Sequence, residues 1–329
     1  MSRSVRIHEF GGPEVLKIQD VTVPEPGAGE VRLRIRAFGL NRTEATLRSG
    51  RSAVKPPLPT QIGFEAAGEI EALGPEIEDF TIGDRVAVIP AYGAAVYGFY
   101  GEVSLAPARS LVAVPPTVAW EDAAATWAAF ATAWAGLIDI GRLCAGQTVV
   151  ISAASSSVGL AAIQIARKIG ATPVALTRTA AKAEELRAHG AAHVIATAEQ
   201  DLVAEVRRIT DGKGASLIFD SVAGPDFGRC VEAAAPGSIL IVFGMNGGAE
   251  ARFPVMPLLG RNLTIRGLGL TSITTDGAKL KALKDFVVPG LAAGDFKPTI
   301  AKVFPFDEIV QAHRYLEAGR QIGKIVVRV

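Results

Sequence analysis

The segment that decides the fold is residues 148–159, which read Thr-Val-Val-Ile-Ser-Ala-Ala-Ser-Ser-Ser-Val-Gly. The segment opens with β-branched residues typical of a buried strand, and the small and hydroxyl residues that follow indicate a tight turn. A helix is predicted from Val158 to Ile169. A strand, a tight turn and a helix in this order are typical of a loop that binds the diphosphate of a dinucleotide, because a helix N-terminus attracts anions.

Further strands follow this segment at intervals that leave room for helices. They are predicted at residues 173–177, 193–195, 216–220, 238–243 and 264–268, with helices between most of them, including one at 182–188. Strands that alternate with helical crossovers form a parallel sheet. We therefore expect an α/β fold with a doubly wound Rossmann cofactor domain over residues 127–271.

The residues before this domain have the pattern of short β-strands. Residues 31–36 alternate apolar and charged side chains, which indicates a strand with one wet face, and runs at 66–73 and 85–89 are similar. Glycine and proline interrupt these runs, so we expect a small barrel or sandwich.

The tail of the chain also contains strands but no sheet of its own. Helices are predicted at 276–286 and 306–317, and strands at 300–304 and 324–329. We expect the tail to return to the first domain, so that residues 1–126 and 272–329 form one discontinuous domain.

Composition argues against several classes of protein. The 329 residues are 49% hydrophobic and 20% charged, which excludes general disorder, and the net charge of +1 provides no basic field for nucleic acid. Cys144 and Cys230 are too few for a disulfide framework, which favours a reduced, cytoplasmic setting. The N-terminus has no apolar run, and polar residues interrupt the apolar stretch 143–166. We therefore expect neither export nor a membrane span.

The turn after residue 151 lacks two of the three glycines of a G-x-G-x-x-G fingerprint. Ala154, Ser156 and Gly159 stand at the three positions. The third glycine allows the helix to pack closely on the strand. We predict that the cofactor diphosphate is bound by Ser155, Ser156, Ser157, Val158 and Gly159. The alternative is that the serines only cap the helix.

The end of the next strand bears on which nicotinamide cofactor is bound. NAD enzymes place an acidic residue there to accept from the ribose 2′-hydroxyl, whereas this chain has Thr177, Arg178 and then Lys182. Guanidinium, ammonium and hydroxyl groups suit a 2′-phosphate, so we predict NADPH rather than NADH. The alternative is that these residues form a solvated, basic start of a helix.

Short motifs that are similar to those of a known protein family occur in the same order along the whole chain. These motifs are Gly39–Glu44 with Arg48–Gly50, Gly63–Gly68, Gly83–Val86, Thr132–Trp134, Phe219–Val222, Phe243–Asn246 and Ile322–Val326. The series resembles the zinc-independent quinone oxidoreductase branch of the medium-chain dehydrogenase/reductases. The resemblance implies a GroES-like β-barrel catalytic domain, to which the tail returns, plus the Rossmann domain.

The resemblance also bears on metal binding. Zinc alcohol dehydrogenases of this superfamily hold a catalytic metal with a Cys, a Gly-His-Glu segment and a second Cys. This chain has Asn41, Phe64 and Phe130 in the matching places, so no metal is expected. Without a Lewis acid, alcohol oxidation is difficult, whereas hydride transfer from NADPH to a quinone or an α,β-unsaturated carbonyl remains feasible.

Several site residues are implied by the same resemblance. Asn41 is expected near the nicotinamide ribose or the substrate carbonyl, and is our first catalytic candidate; the alternative is an asparagine in an ordinary turn. The other residues implied along the cofactor are Thr132, Ser221, Phe243, Gly244 and Lys324. Each of these could instead serve in packing or at the surface.

One departure from the family concerns aromatic residues. Several quinone reductases carry tyrosines where this chain has Thr46 and Ser52. Aromatic residues cluster instead at Tyr92, Tyr97, Phe99 and Tyr100, on a loop expected to border the substrate cleft. Tyr100 is our second catalytic candidate, as a hydrogen-bond donor to a substrate carbonyl, although tyrosines in loops also simply pack. His313 is expected to be half-exposed on its helix.

Two other functions stay open at this stage. One is reduction of an enoyl thioester, and the other is NADPH binding without turnover by a structural or sensor protein. A homodimer is expected from the family, with the strand at 264–268 as a candidate edge for pairing.

Overall fold

The computed structural model describes residues 1–52, 55–92 and 96–329. Over these residues the chain forms two compact units. The first unit contains Met1–Ala128, Thr274–Leu280 and Pro298–Val329, and the second contains Ala129–Ile273 and Lys281–Lys297.

The chain begins with short strands and one short helix. In the described residues these are β1 (Ser2–Ile7), β2 (Lys17–Val21), β3 (Glu30–Leu40), α1 (Arg42–Arg48), β4 (Thr60–Gln61), β5 (Ala66–Leu73), β6 (Arg85–Val88), β7 (Val103–Pro107) and β8 (Leu111–Ala113). β3 shows why such strands form. Val31, Leu33 and Ile35 point into the core, while the arginines between them face outward, where Arg34 and Arg36 pair with acidic residues of β5.

Helix α2 (Trp120–Trp134) follows and continues as a wide π-type turn, Ala135–Ile140. The stretch Trp120–Ile140 is long and apolar enough to cross a membrane by length and composition alone. However, 83% of its most apolar window is buried inside the protein, as in the core helix of a globular protein.

The second unit contains a six-stranded parallel sheet. The elements in chain order are β9 (Thr148–Ile151), α3 (Ser157–Lys168), β10 (Thr172–Thr177), α4 (Ala183–Ala188), β11 (His193–Ala196), α5 (Leu202–Ile209), β12 (Ala215–Asp220), α6 (Phe227–Ala233), β13 (Ala234–Val242), α7 (Val255–Gly260) and β14 (Thr264–Gly267). The strand order is β11-β10-β9-β12-β13-β14, which confirms the predicted doubly wound sheet. The order reverses at β9, and ligands bind such sheets at the carboxyl ends of the strands beside that reversal.

Helices α8 (Leu270–Thr274) and α9 (Gly277–Ala292) come next, and here the structure differs from the predicted domain assignment. Residues 281–297 belong to the second unit, whereas the sequence analysis assigned them to the first domain. The reason is aromatic packing, because the ring of Phe296 lies 5.3 Å from that of Phe130 and 5.7 Å from that of Phe286. The backbone of Lys297 also exchanges two hydrogen bonds with the Gln164 side chain.

The tail contributes β15 (Ile300–Pro305), α10 (Ile309–Ala318) and β16 (Lys324–Arg328) to the first unit. β16 pairs antiparallel with β3, so that Ile325 faces Leu40 and Val327 faces Phe38. The strands join a seven-stranded sheet of order β15-β16-β3-β5-β6-β8, in which β7 also pairs with β3. This pairing brings Lys324, the first residue of β16, next to the end of β3.

Candidate active site

Asn41 lies in the first unit where β3 ends and α1 begins. Its backbone N–H donates to Oε2 of Glu44 over 2.6 Å, three residues further on, so Glu44 reaches back over the first turn of α1 as in a capping box. The Asn41 side chain is half-buried, whereas Glu44 is fully buried. The local sequence Asn-Arg-Thr-Glu therefore fixes the position of Asn41 at the start of the helix.

A buried ion pair lies beside Asn41. The Lys324 ammonium pairs with Oε1 of Glu65, and both side chains are only 1% exposed. Lys324 Nζ also donates to Oδ1 of Asn41 over 2.6 Å, while Asn41 Nδ2 donates to Glu65 Oε1 over 3.2 Å. The other Glu65 oxygen accepts the backbone N–H of Ala128 at 2.8 Å. Each charged group of the pair is thus hydrogen-bonded as well as neutralised.

Gly39 on β3 leaves the space that this pair occupies. A Cβ atom at this position would lie 2.5 Å from the Ala124 carbonyl oxygen, 2.7 Å from Lys324 Cε and 2.8 Å from Glu65 Oε1. These separations are too short for a carbon atom, so the arrangement of Lys324 and Glu65 requires glycine here.

Glu44 accepts several hydrogen bonds in the interior of the first unit. Besides the Asn41 N–H, it accepts the Tyr100 hydroxyl at 2.5 Å and the Phe64 N–H at 2.8 Å. Burial raises the pKa of Glu44 to about 7, while these donors and the charge of Lys324 act in the opposite direction. The pKa of this carboxyl therefore falls in the range where enzymes operate.

Tyr100 is the start of a longer buried chain of polar groups. Its oxygen lies 3.2 Å from His313 Nε2, and His313 Nδ1 lies 3.2 Å from Arg48 Nη1. Arg48 in turn donates to Glu317 over 2.6 Å. Burial, together with the Arg48 charge, lowers the pKa of His313 to about 3, so its ring is neutral.

The expectation of a half-exposed His313 is wrong, because the side chain is fully buried. A sequence signal for this was present. Ile309, Ala312 and Leu316 are also buried and share a helix face with His313 at the spacing of successive turns.

The predicted aromatic border of the substrate cleft is also wrong for three of its four residues. Tyr92, Phe99 and Tyr100 are buried in the core of the first unit, and Tyr100 stacks on Phe38 at 4.5 Å. Tyr97 is half-buried and donates to Glu30. Because the Tyr100 hydroxyl is committed to Glu44, this residue can influence a ligand only through its neighbours. Part of the loop, residues 93–95, lies outside the described residues.

The loop after β9 in the second unit has the geometry of a tight turn. Ala153 adopts a left-handed conformation with φ of 43°, and Ser156 caps α3 by accepting the Gly159 N–H at 3.1 Å. A Cβ atom on Gly159 would lie 2.6 Å from the Ala154 carbonyl oxygen, so glycine is required for this close packing. Ser156 therefore performs the capping role considered above, while the neighbouring Ser157 and Val158 are half-buried in the first turn of the helix.

A buried hydroxyl without a partner lies at the carboxyl end of β12. Among the described residues, the Ser221 Oγ atom has no hydrogen-bond partner, although the side chain is only 5% exposed. The Ser221 N–H is held by Ser152 at 2.8 Å. A Cβ atom on Gly244 would lie 2.6 Å from the Ser221 carbonyl oxygen, and Phe243 stacks on Phe219 at 4.0 Å. Since an unpaired buried hydroxyl is unfavourable, this position fits a ligand atom.

One of the two positive charges predicted after β10, Lys182, contacts the serine loop. Lys182 Nζ donates to Ser155 Oγ over 3.2 Å, and burial and the charge of Arg178 both lower the pKa of Lys182. Arg178 is exposed and Thr177 is half-buried. Thr132, on α2, is half-buried as well.

The residues present do not fit a zinc ion. The amide of Asn41 replaces a thiolate, Phe64 and Phe130 carry no ligand atom, and Glu65 is already bound to the Lys324 ammonium. Within residues 1–52, 55–92 and 96–329, no group of three or more His, Cys, Asp or Glu side chains is arranged to hold a metal.

Two family models match the chain. The model of the alcohol dehydrogenase GroES-like domain matches residues 27–116, and the model of the zinc-binding dehydrogenase matches residues 157–285. Zinc binding is part of the name of the second family model. The side chains described above do not provide zinc ligands in this chain.

Three similar full-length proteins are named as oxidoreductases. The chain is 33% identical to a quinone oxidoreductase of Pseudomonas aeruginosa, with 99% of both chains covered. It is 31% identical to a 2-haloacrylate reductase of a Burkholderia species, with 98% of this chain and 97% of the relative covered. It is 30% identical to human quinone oxidoreductase, with 99% and 98% covered.

Two solved structures are similar to the chain over its whole length. An Escherichia coli quinone oxidoreductase complexed with NADPH has a TM-score of 0.92 and 27% identity, with both chains covered completely. An NAD-dependent alcohol dehydrogenase has a TM-score of 0.91 and 32% identity, with 99% of each chain covered. The fold, the family models and the full-length relatives agree. The chain therefore belongs to the medium-chain dehydrogenase/reductase family of oxidoreductases, in its quinone oxidoreductase branch.

Proposed function

We propose that this protein uses NADPH to reduce a quinone or an α,β-unsaturated carbonyl compound without a metal ion. The observation that carries the proposal is the contact between Lys182 and Ser155, because it joins the positive end of β10 to the serine loop. A diphosphate at the helix N-terminus and a 2′-phosphate near Arg178 and Lys182 would both find donors there. The NADPH complex of the Escherichia coli relative supports the same cofactor.

Other residues of the chain have defined tasks in this proposal. Ser155, Ser157 and Val158 flank the diphosphate, Ser156 and Gly159 keep the loop in shape, and Thr177 contributes a hydroxyl near the 2′-phosphate. The unpaired Ser221 hydroxyl is available to a polar group of the cofactor, and Phe243 and Gly244 border the same strand ends. The assignment of Thr132, Asn41 and Lys324 to the nicotinamide half stays a prediction.

The class of acceptor follows from the chemistry of the described side chains around Asn41. Bound NADPH supplies a hydride, but the side chains around Asn41 do not provide the ligands of a Lewis-acidic metal that would activate an alcohol or a simple ketone. Quinones and conjugated carbonyl compounds are already electrophilic and chiefly require orientation. The names of the relatives include both a quinone oxidoreductase and a reductase of haloacrylate, an alkene conjugated with a carboxyl group.

The test is a set of parallel assays that follow NADPH absorbance with a quinone, an enone and an enoyl thioester, repeated with NADH. Oxidation of NADPH by the quinone or the enone supports the proposal. Turnover with the thioester alone would instead identify an enoyl-thioester reductase. Tight NADPH binding with no turnover by any acceptor would identify a non-catalytic binding protein.

We further propose a cytoplasmic homodimer. β14 pairs only with β13 among the described strands, which leaves one edge of the sheet open. Next to it in sequence, α7 exposes Val255, Met256 and Leu259, which are 57–77% accessible. An open strand edge beside apolar side chains is suited to pairing with a second copy.

A further inference from the structure

The hydrogen bonds that end at Glu44 have a fixed direction. The Arg48 guanidinium can only donate, so the atom that it meets, His313 Nδ1, must accept. The neutral ring then carries its single hydrogen on Nε2 and donates it to the Tyr100 oxygen. The Tyr100 hydrogen is consequently directed at Glu44. Arg48, His313 and Tyr100 thus form a donor chain that ends on one carboxyl group.

This donor chain favours the ionised form of Glu44. The carboxyl also receives the N–H groups of Asn41 and Phe64, neither of which can accept a hydrogen. A protonated Glu44 would have to donate to the Tyr100 oxygen, which already accepts from His313, and the Tyr100 hydrogen would then lose its carboxylate acceptor. The surroundings therefore oppose the effect of burial on this group.

Other charged and titratable groups around Glu44 do not alter this conclusion. The charge of Lys324, on β16, favours the ionised form of Glu44. Lys324 is itself paired with Glu65, which lies immediately before β5. Tyr92 donates to the Phe64 carbonyl oxygen rather than to Glu44, and its pKa is raised well above the usual value by burial, so it stays neutral.

The same logic fixes the orientation of the Asn41 amide. Lys324 can only donate, so its partner atom is the amide oxygen. The amide nitrogen then points to the carboxylates, 3.2 Å from Glu65 Oε1 and 3.4 Å from Glu44 Oε1. Both amide hydrogens are directed at carboxylates, so the oxygen is the only atom of the amide that can accept a hydrogen bond.

We propose that Glu44 is a positioning residue, held ionised by Arg48, His313 and Tyr100, which fixes Asn41 as a hydrogen-bond acceptor toward the bound reactants. Asn41 then receives a donor, such as a ribose hydroxyl or a carboxamide N–H, and does not donate to a substrate carbonyl. The inference rests on the proposed function, because only that function places Asn41 at the coenzyme.

The first test is the pH dependence of kcat/KM for NADPH oxidation in Tyr100→Phe. We expect activity to depend on ionised Glu44, so in the wild type it should fall as the pH drops through about 7, the pKa of that group. Loss of the hydroxyl removes a hydrogen bond to a charge, so the midpoint should move up by about one pH unit. Tyr92→Phe removes an equally buried hydroxyl that does not contact Glu44, and its midpoint should match the wild type. Glu44→Gln should have low activity at every pH, and the acidic limb should disappear.

Coincident midpoints in the wild type, Tyr100→Phe and Tyr92→Phe would overturn the proposal. A second measurement serves if Tyr100→Phe does not fold. This measurement is an NMR spectrum of wild-type protein that carries 13C-labelled glutamate carboxyls. The Glu44 signal is identified as the one that is missing in Glu44→Gln. Above pH 8 its chemical shift should be that of a carboxylate. A protonated Glu44 at that pH would also overturn it.

The orientation of Asn41 has its own readout. With 15N-labelled asparagine, both side-chain amide hydrogens of Asn41 should exchange slowly with water, with and without NADPH. Fast exchange of either hydrogen would refute the acceptor assignment. These spectra of the free protein are independent of turnover, so failure to oxidise or bind NADPH would count against the proposed function and not against the Glu44 arrangement.

Discussion

Replacement of Lys324 by methionine tests the buried ion pair directly. Methionine retains most of the apolar stem of lysine, so the main change is loss of the ammonium. Removal of one partner of a buried pair costs about 3–5 kcal/mol, because the remaining charge stays in the interior. Glu65 keeps its hydrogen bonds from Ala128 and Asn41, at 2.8 Å and 3.2 Å. We therefore expect Lys324→Met to lower the free energy of unfolding by about 3 kcal/mol, at the lower end of this range.

The assay is urea unfolding followed by circular dichroism, with a surface pair as the control. Lys281 pairs with Asp285 four residues along α9, and these side chains are 76% and 60% exposed. Lys281→Met should therefore change the unfolding free energy by no more than about 0.5 kcal/mol. In the double variant Lys324→Met with Glu65→Gln the uncompensated charge is gone, and at least part of the lost stability should return.

Two results would refute this reasoning. A loss of less than about 1 kcal/mol in Lys324→Met would show that Glu65 does not need the ammonium in the folded state. A double variant less stable than Lys324→Met alone would show that the cost arises from packing and not from charge.

Four further predictions concern the cofactor, the loop, the assembly and the metal. Arg178→Ala should weaken NADPH binding about 10- to 100-fold by calorimetry and leave NADH binding nearly unchanged, and equal losses would place the 2′-phosphate elsewhere. Gly159→Ala should lower NADPH affinity at least about tenfold, because its Cβ would lie 2.6 Å from the Ala154 backbone, whereas Gly277→Ala, with no atom within 4 Å, should bind normally. Met256→Lys should yield monomers in light scattering if α7 and β14 form the dimer interface, and an unchanged mass would exclude that surface. Chelator treatment should leave activity intact and elemental analysis should find no stoichiometric zinc, so a loss that zinc restores would contradict the metal-free proposal.

Much of the fold follows from local patterns. The run at 66–73 became β5 with the predicted bounds, and the segment at 148–159 became β9, a turn and α3. These elements depend on the spacing of apolar residues and on turn-forming residues. All the residues that determine one such element lie within about a dozen positions in the sequence. Residues 281–297 were assigned differently because the packing of Phe296 on Phe130 depends on a partner far away in sequence.

The candidate site could be predicted only in part, for a similar reason. The serine loop and the basic end of β10 are local motifs, and Lys182 does contact Ser155. The surroundings of Asn41 are not local, since the bond to Lys324 spans 283 positions. No sequence pattern indicated that Lys324 pairs with Glu65, or that Tyr100 donates to Glu44. The polar cluster exists because β16 pairs with β3, and side-chain geometry was needed to see it.

The pairing of β16 with β3 has a consequence for biosynthesis. A ribosome makes Asn41, Glu44 and Glu65 long before it makes His313 and Lys324, with most of the second unit in between. The six-stranded sheet of that unit is continuous in sequence from β9 to β14 and can form while synthesis continues. The early carboxylates have neither their cation nor their full set of donors until the tail emerges. The polar cluster of the first unit can therefore be completed only after the strands of the second unit have been synthesised.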